Sequence, residues 1–129
     1  MAELTREEKI QKIIELEAVK KELTARKLSH DLFEFNKQVL QVEQGPNNVP
    51  LTTFHKELCD FVMKPDPKKK LILVPRGHLK STLVTVGYSL LRIAQDPTVR
   101  ILIANATFDM ATSFLGQIKK HIRDNEVFK

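Results

Sequence analysis

The sequence predicts an α/β chain in which N-terminal helices precede one strand–helix–strand unit of a parallel sheet. Residues 71–75 form a short, continuous apolar run, which is typical of a strand buried on both faces of a sheet, and the largely apolar run of residues 100–106 is predicted to be a second strand of this type. A mostly apolar segment of helical length, residues 80–95, separates the two runs. A helix that connects two strands of one sheet in this way makes them parallel, with a right-handed crossover.

Two strands are too few for a stable parallel sheet, because such sheets need several strands in one core and helices on both faces. The predicted sheet is therefore incomplete within the 129 residues. We expect either the N-terminal piece of a larger α/β protein or a small domain that completes its sheet by self-association.

Composition excludes several classes of protein. Hydrophobic residues make up 42% and charged residues 29% of the chain, and no apolar run approaches the roughly 20 residues that cross a bilayer. The charged N-terminus lacks the apolar centre of a secretory signal. The one cysteine, Cys59, excludes an internal disulfide framework and a cysteine zinc site. We expect a cytosolic protein in which Cys59 is a core residue.

The first 30 residues are predicted to form an N-terminal helical extension, separate from residues 31–129. Thr5 and Glu8 have the spacing of a capping box, so a helix is expected to begin there and to end near Leu28. Its apolar residues form only a narrow stripe: Ile10, Ile13, Leu16, Val19 and Leu23. We expect this helix either to dock on a partner or to be a solvated extension.

Three further helices follow from local signals in the sequence. Residues 29–31 can begin a second helix, which is more apolar than the first, and residues 44–50 form a loop rich in turn residues. A third helix over 53–64 ends at the prolines that follow it. A fourth, over 80–95, has almost no polar face and should therefore be deeply packed.

A fifth helix is predicted over residues 107–125, with Thr107 as its cap. Apolar residues recur along it at helical spacing: Ala111, Leu115, Ile118 and Ile122. Such a stripe is expected to be the buried face of an amphipathic helix.

The segment LILVPRGHLKST, residues 71–82, has the layout of a nucleotide phosphate loop. In such a loop, backbone N–H groups at a helix start point at the phosphates, a lysine reaches the outer phosphates and the next hydroxyl binds Mg²⁺. Lys80 and Ser81 have those identities between the predicted strand and helix. The segment departs from the G-x-x-x-x-G-K-[ST] pattern at both glycines, which are Val74 and Leu79 here.

Positive charge is concentrated around this loop. Residues 64–82 contain one aspartate against six cations: Lys64, Lys68, Lys69, Lys70, Arg76 and Lys80. A local cluster of this sign favours anions, which means nucleotide phosphates, nucleic acid or both. For residues 68–70 taken alone, a solvated lysine run is an equally good interpretation.

The loop resembles the variant Walker A segment of bacteriophage terminase large subunits, the ATP-driven motors that package DNA. Six residues match that variant: Pro75, Arg76, Gly77, Lys80, Ser81 and Thr82. Leu79 stands where the family usually has glycine. Residues 96–128 resemble the strand, Ala-x-Ala-Thr type turn and helix that follow in that family, and residues 49–62 resemble the segment that helps to hold adenine.

This resemblance implies the additional-strand α/β type of P-loop NTPase fold and the binding of ATP with Mg²⁺. It implies that the loop surrounds the phosphates with eight residues: Pro75, Arg76, Gly77, His78, Leu79, Lys80, Ser81 and Thr82. Arg76 matches an arginine that contacts the γ-phosphate, and Ser81 matches the Mg²⁺ ligand. His55 occupies a position where relatives often have a glutamine that reads adenine.

The same resemblance implies the partners of a packaging motor. These are double-stranded DNA, the portal protein, the small terminase subunit and, at full length, further copies arranged as a homo-oligomeric ring. The setting would be the cytoplasm of an infected bacterium, with no membrane partner. In the family, a C-terminal nuclease domain cuts the DNA.

Two parts of that family's catalytic machinery are not found in the 129 residues. No apolar strand ends in the Asp-Glu pair of a Walker B motif, and no acidic cluster suits a two-metal nuclease. We therefore expect that this chain alone does not hydrolyse ATP at a useful rate, since phosphoryl transfer needs several such groups. Two alternatives stay open: another helicase-type P-loop ATPase, and a nucleic-acid-binding module whose degenerate loop no longer takes nucleotide.

Overall fold

The computed structural model describes residues 5–44 and 49–128, and the predicted loop at 44–50 lies mostly outside them. The α-helices occur in chain order as α1 (Arg6–Leu28), α2 (Leu32–Glu34), α3 (Thr53–Met63), α4 (Ser89–Gln95) and α5 (Phe108–Asp124). The helices predicted over 53–64 and 107–125 are thereby confirmed. No helix in the described ranges is both long enough and apolar enough to cross a membrane.

Two π-helical segments extend these α-helices. Phe35–Val39 continues α2, and Ser81–Tyr88 runs directly into α4, so residues 81–95 form one continuous helical span. This confirms the helix predicted over 80–95, although nothing in its pattern indicated a π-helical beginning. Turns of π-helix are rare in proteins and are concentrated at functional sites.

The predicted α/β fold is wrong. Among residues 5–44 and 49–128 there is no strand and no sheet. The two apolar runs that were expected to form strands, 71–75 and 100–106, have no strand pairing. A strand is stable only when a neighbour accepts and donates its backbone hydrogen bonds. In this chain the helices pack directly on one another, so the core closes without a sheet.

Each of the two apolar runs touches the core through one isoleucine, Ile72 or Ile103. The leucines beside them are largely exposed, with Leu71 at 79%, Leu73 at 82% and Leu102 at 92%. The apolar composition therefore predicted burial on both faces, whereas in each run one half-buried isoleucine packs against the core.

The core lies where α2, α3 and α5 meet the helical span of residues 81–95. Its most deeply buried apolar side chains are Leu32, Phe35, Cys59, Leu83, Val86, Leu90 and Leu91. The deep packing of the fourth predicted helix and the core position of Cys59 are both confirmed. In α5, Ile118 is buried, but Leu115 and Ile122 of the predicted stripe are 45% and 37% exposed, because the neighbouring helices cover only part of that face.

A capping box begins α1, as the sequence predicted. The backbone N–H of Thr5 donates to Glu8 Oε2 at 2.7 Å, and the N–H of Glu8 donates to Thr5 Oγ1 at 3.4 Å. Where side chains between residues 5 and 27 are described, they are exposed. The first helix is therefore held by its own backbone and surface pairs rather than by core packing.

A close contact between Asn36 and Gly87 joins the two π-helical segments. Asn36 is fully buried, and its Nδ2 donates to the carbonyl oxygens of Leu32 at 2.9 Å and Leu83 at 3.4 Å. A Cβ added to Gly87 would lie 2.2 Å from Asn36 Oδ1. Glycine at 87 is thus required by the space that the Asn36 amide occupies.

We expect Gly87→Ala to lower the free energy of unfolding by about 1–3 kcal/mol, because the new methyl group overlaps a buried amide that has little room to move. Urea denaturation followed by circular dichroism measures this change. Gly116→Ala in α5 is the matched control, since a Cβ there meets nothing within 4 Å. That control should be neutral or stabilising by up to about 1 kcal/mol. Equal effects at the two positions would contradict the proposed overlap.

Candidate functional site

The loop that precedes the helical span of residues 81–95 has an unusual backbone. Gly77 has a φ of +87°, and Leu79 has a φ of +55°. A left-handed conformation costs a residue with a side chain about 1–2 kcal/mol, and glycine avoids this cost. Leu79 therefore stands, in a glycine-favouring conformation, at the position where the phosphate-loop pattern has glycine.

Packing accounts for how Leu79 is tolerated there. Its side chain is half-buried against the core, and its carbonyl oxygen accepts from the N–H of Leu83 at 2.8 Å. The apolar contact and the hydrogen bond offset the backbone strain. Comparison with the phosphate-loop pattern showed that leucine replaces glycine at position 79. It did not show that the backbone there is left-handed, which is what makes leucine unfavourable.

Lys80 and Ser81 lie at the start of the helical span, as the sequence predicted. Both are half-buried, and Thr82 follows them in the first turn. In the described ranges, neither Lys80 nor the exposed Arg76 forms an ion pair. The N–H groups of a first helical turn have no intrahelical partners, and with the helix dipole they favour an anion.

His55, at the start of α3, faces the same region. It is 5% exposed, and its Nδ1 accepts from the backbone N–H of Thr52 at 2.9 Å. A ring nitrogen that accepts carries no proton, so in the neutral ring the hydrogen is on Nε2. Nε2 is buried and forms no hydrogen bond of ordinary geometry with any described residue. Burial, and to a lesser extent the nearby His78, lowers the pKa of His55, while the backbone of His78 acts in the opposite direction.

Phe54 connects His55 to the loop. Its ring meets the ring of His55 edge-on at 5.4 Å between centroids, and the ring of His78 at 5.7 Å. Together with Pro75 and Gly77, these residues line a cavity of about 500 Å³, which is completed by Val49, Pro50 and Thr52. The structure thus brings together His55 and the first half of the predicted loop.

The second half of the loop is placed differently. Lys80, Ser81 and Thr82 do not line this cavity but follow it directly in the chain, at the helix start. Sequence reasoning missed the role of Phe54, whose only signal was an aromatic residue beside His55. His78, one of the eight loop residues that the resemblance places around the phosphates, is exposed, and its ring contacts Phe54.

The lysine cluster divides into engaged and exposed members. Lys70 donates from Nζ to the carbonyl oxygens of Val62, at 3.0 Å, and Lys64, and thus caps the end of α3. Lys68 and Lys69 are exposed. At the other end of the fold, Thr107 Oγ1 accepts from the N–H of Met110 at 3.3 Å, which confirms the predicted cap of α5.

No family model, curated protein or solved structure matches this chain. In the described part of the chain, no three His, Cys, Asp or Glu side chains lie together in a group that could hold a metal ion.

At position 79, the glycine variant should be more stable than the alanine variant, which reverses the order usual in helices. Alanine keeps the left-handed strain and loses the packing, whereas glycine loses only the packing. We expect Leu79→Gly to be more stable than Leu79→Ala by about 0.5–1 kcal/mol, after the entropic cost of glycine in the unfolded chain is subtracted. Urea denaturation of both variants measures the difference.

The matched control for this order is Gln117, exposed in the middle of α5. There, Gln117→Gly should be less stable than Gln117→Ala by about 1 kcal/mol. The same order at both positions would show that Leu79 does not hold a left-handed backbone.

Because the pKa of His55 is lowered in the folded chain, the free energy of unfolding should decrease as the pH falls. Above pH 7 the ring is neutral in both folded and unfolded chains, but as the pH falls the unfolded chain takes up a proton first. We expect the free energy of unfolding to fall between pH 7.5 and pH 5.5, and to fall less in His55→Gln. His121, whose pKa burial also lowers, acts in the same direction, so part of the dependence should remain.

Urea denaturation at the two pH values tests this expectation, and His30→Gln, at an exposed position, controls for the loss of one imidazole. A pH dependence that is unchanged in His55→Gln would contradict the assignment of His55 as a buried neutral ring.

Proposed function

We propose that the chain binds ATP with Mg²⁺ through residues 75–82 and acts in the ATP-driven packaging of double-stranded DNA, as its resemblance to terminase large subunits implies. The observation that carries the proposal is the left-handed backbone at Gly77 and Leu79, directly before the unpaired Lys80 at a helix start. When successive residues alternate between right-handed and left-handed backbone conformations, their N–H groups point into one concavity. Such a concavity, called a nest, binds anions.

The residues at the helix start have the chemistry needed to bind the phosphates of ATP. Lys80 supplies a cation that forms no ion pair with the described residues, and the first turn supplies N–H donors. The Ser81 hydroxyl is the oxygen ligand that would hold Mg²⁺ when the nucleotide brings it, with Thr82 beside it. Arg76 is exposed in the same loop, so it can swing toward the γ-phosphate without breaking an ion pair.

The base side fits the cavity of about 500 Å³ beside the loop. An adenine ring carries aromatic nitrogen acceptors on its edge and needs an apolar or aromatic surface for its face. The buried Nε2–H of His55 forms no hydrogen bond of ordinary geometry with the described residues, although the backbone of His78 is close enough to raise its pKa. Phe54 and Pro75 offer an apolar surface. A ligand acceptor on Nε2 would satisfy a polar group that otherwise carries a desolvation cost.

Partners follow from the resemblance. It stays a prediction that the chain binds double-stranded DNA, the portal protein and the small terminase subunit and that it forms a homo-oligomeric ring. Its location in the bacterial cytoplasm also stays a prediction. The expected lack of useful ATP hydrolysis by this chain alone also stays a prediction.

One observation favours a second candidate function, a nucleic-acid-binding module. Lys64, Lys68, Lys69 and Arg76 are exposed close together in the sequence, and this charge would contact phosphates of a nucleic acid without any nucleotide pocket. Leu79 in the glycine position agrees with a loop that has lost nucleotide binding. This function predicts strong salt dependence and no preference for a triphosphate.

Titration with a fluorescent ATP analogue, with and without Mg²⁺, tests the proposal. We expect Lys80→Ala to weaken binding by about 10- to 100-fold, because a charge-assisted contact to phosphate contributes about 1.5–3 kcal/mol. Lys69→Ala removes an equally charged, exposed side chain from the same cluster and should leave the affinity within about twofold. Ser81→Ala should remove most of the Mg²⁺ dependence.

Equal losses in Lys80→Ala and Lys69→Ala would mean that the analogue responds to general positive charge. Binding of a DNA duplex that falls steeply with salt, in a chain that does not bind the analogue, would replace the proposal with the second candidate.

A further inference from the structure

The first helix carries an exposed apolar row that its own chain leaves uncovered. Leu16, Val19 and Leu23 follow one another at intervals of three and four residues and are 62%, 53% and 54% exposed. Residues at these intervals lie on one face of a helix, which is the spacing of the seam in a coiled coil. We call these three residues the α1 seam.

Charges of opposite sign border the α1 seam. Glu15 and Glu22 lie along one edge, seven residues apart, and Lys20 and Lys27 lie along the other edge at the same interval. All four are exposed. In a parallel pair of helices, a side chain on the first edge meets the side chain five positions later on the second edge of the partner. Glu15 would thus meet Lys20 of a second copy. Glu22, which pairs with Arg26 of its own helix at 2.9 Å, would also meet Lys27 of the second copy.

The same charges oppose the antiparallel arrangement. Two antiparallel helices bring like edges together, so that glutamates would face glutamates and lysines would face lysines. The helix is therefore complementary to a second copy of itself in one direction only.

The body of the protein leaves the α1 seam accessible. On the side of α1 toward the body, five residues line a cavity of about 420 Å³ together with Phe35 and Val39: Glu17, Lys20, Lys21, Thr24 and Leu28. Lys20 lies between this side and the seam. At about 100° per residue, the seam is rotated by roughly a third of a turn from that side. A second helix can therefore lie on the seam without displacing the body.

We propose that two copies of this chain associate through α1 as a parallel, in-register pair, joined by the α1 seam and the Glu15–Lys20 and Glu22–Lys27 contacts. The seam is short, because Lys12 and Arg26 occupy the positions that would continue it. The association is therefore weak and dissociates on dilution. It does not depend on nucleotide binding, so it can fail or succeed independently of the proposed function.

Disulfide trapping tests the direction of the pair. In a parallel, in-register pair, identical seam positions adjoin, so Leu16→Cys and Leu23→Cys should each form a disulfide with its own kind. When the two variants are mixed and mildly oxidised, tryptic digestion followed by mass spectrometry of the linked peptides should find 16–16 and 23–23 links in excess over 16–23 links, because residues 16 and 23 lie in different tryptic peptides. The native Cys59 is buried, and burial raises the pKa of its thiol to about 12, so it does not compete.

Ala18→Cys is the matched control, since residue 18 is exposed on α1 but lies off the seam. It should cross-link at least about tenfold more slowly than Leu16→Cys, because its Cβ atoms lie outside the distance for a disulfide. A mixed dimer of Leu16→Cys with Leu23→Cys in excess would show an antiparallel pair and overturn the proposal.

Sedimentation equilibrium over a wide range of concentrations tests the association itself. Leu23→Ser should abolish it, whereas Ile14→Ser, which removes an equally exposed apolar side chain from another face, should not. Lys20→Glu should weaken the pair about three- to tenfold by setting glutamate against glutamate, and Glu15→Lys in the same chain should restore it.

A chain that stays monomeric up to the millimolar range, or a dimer that Leu23→Ser leaves intact, would overturn the proposal. The first outcome includes the case in which α1 folds onto its own body, and the second includes a dimer formed through another surface.

Discussion

The contact of Gly87 with Asn36 is the constraint on which the rest of the fold depends. It lets two π-helical segments approach until the Asn36 amide donates to the carbonyl oxygens of Leu32 in α2 and Leu83 in the second segment. The helical span of residues 81–95 is thereby fixed against α2, and α3 and α5 pack around the pair. Because the candidate phosphate loop leads directly into this span, the position of Lys80 is set by core packing rather than by a sheet.

The helices could be predicted because their signals are local. The Thr5–Glu8 capping box, the Thr107 cap and the apolar face of residues 80–95 each act within a few residues, and the structure confirms all three. The sheet could not be predicted correctly because a strand depends on a neighbour that sequence periodicity does not report. Residues 71–75 have the composition of a buried strand, but only Ile72 reaches the core.

In the candidate site, too, the local features could be predicted from the sequence and the contacts that depend on packing could not. The identities of Lys80 and Ser81 and their place at a helix start follow from the order of residues. The resemblance indicated that His55 lies near the nucleotide, but the ring contacts of Phe54 with His55 and His78 depend on how α3 packs, which no local pattern reports. Lys70 was counted with the anion-binding cluster on charge alone, whereas its ammonium group binds the carbonyl oxygens that end α3.

The exposed leucines at 71 and 73 have a consequence for solubility. A short run of exposed apolar residues with unpaired backbone groups is a template for edge-to-edge association and aggregation. Here the run is bordered by Lys68 and Lys69 on one side and by Pro75 and Arg76 on the other. Charged residues and proline at such borders act as gatekeepers, because like charges repel between copies and proline cannot donate to a ladder. The basic residues around the loop thus also reduce the tendency of the exposed leucines at 71 and 73 to cause aggregation.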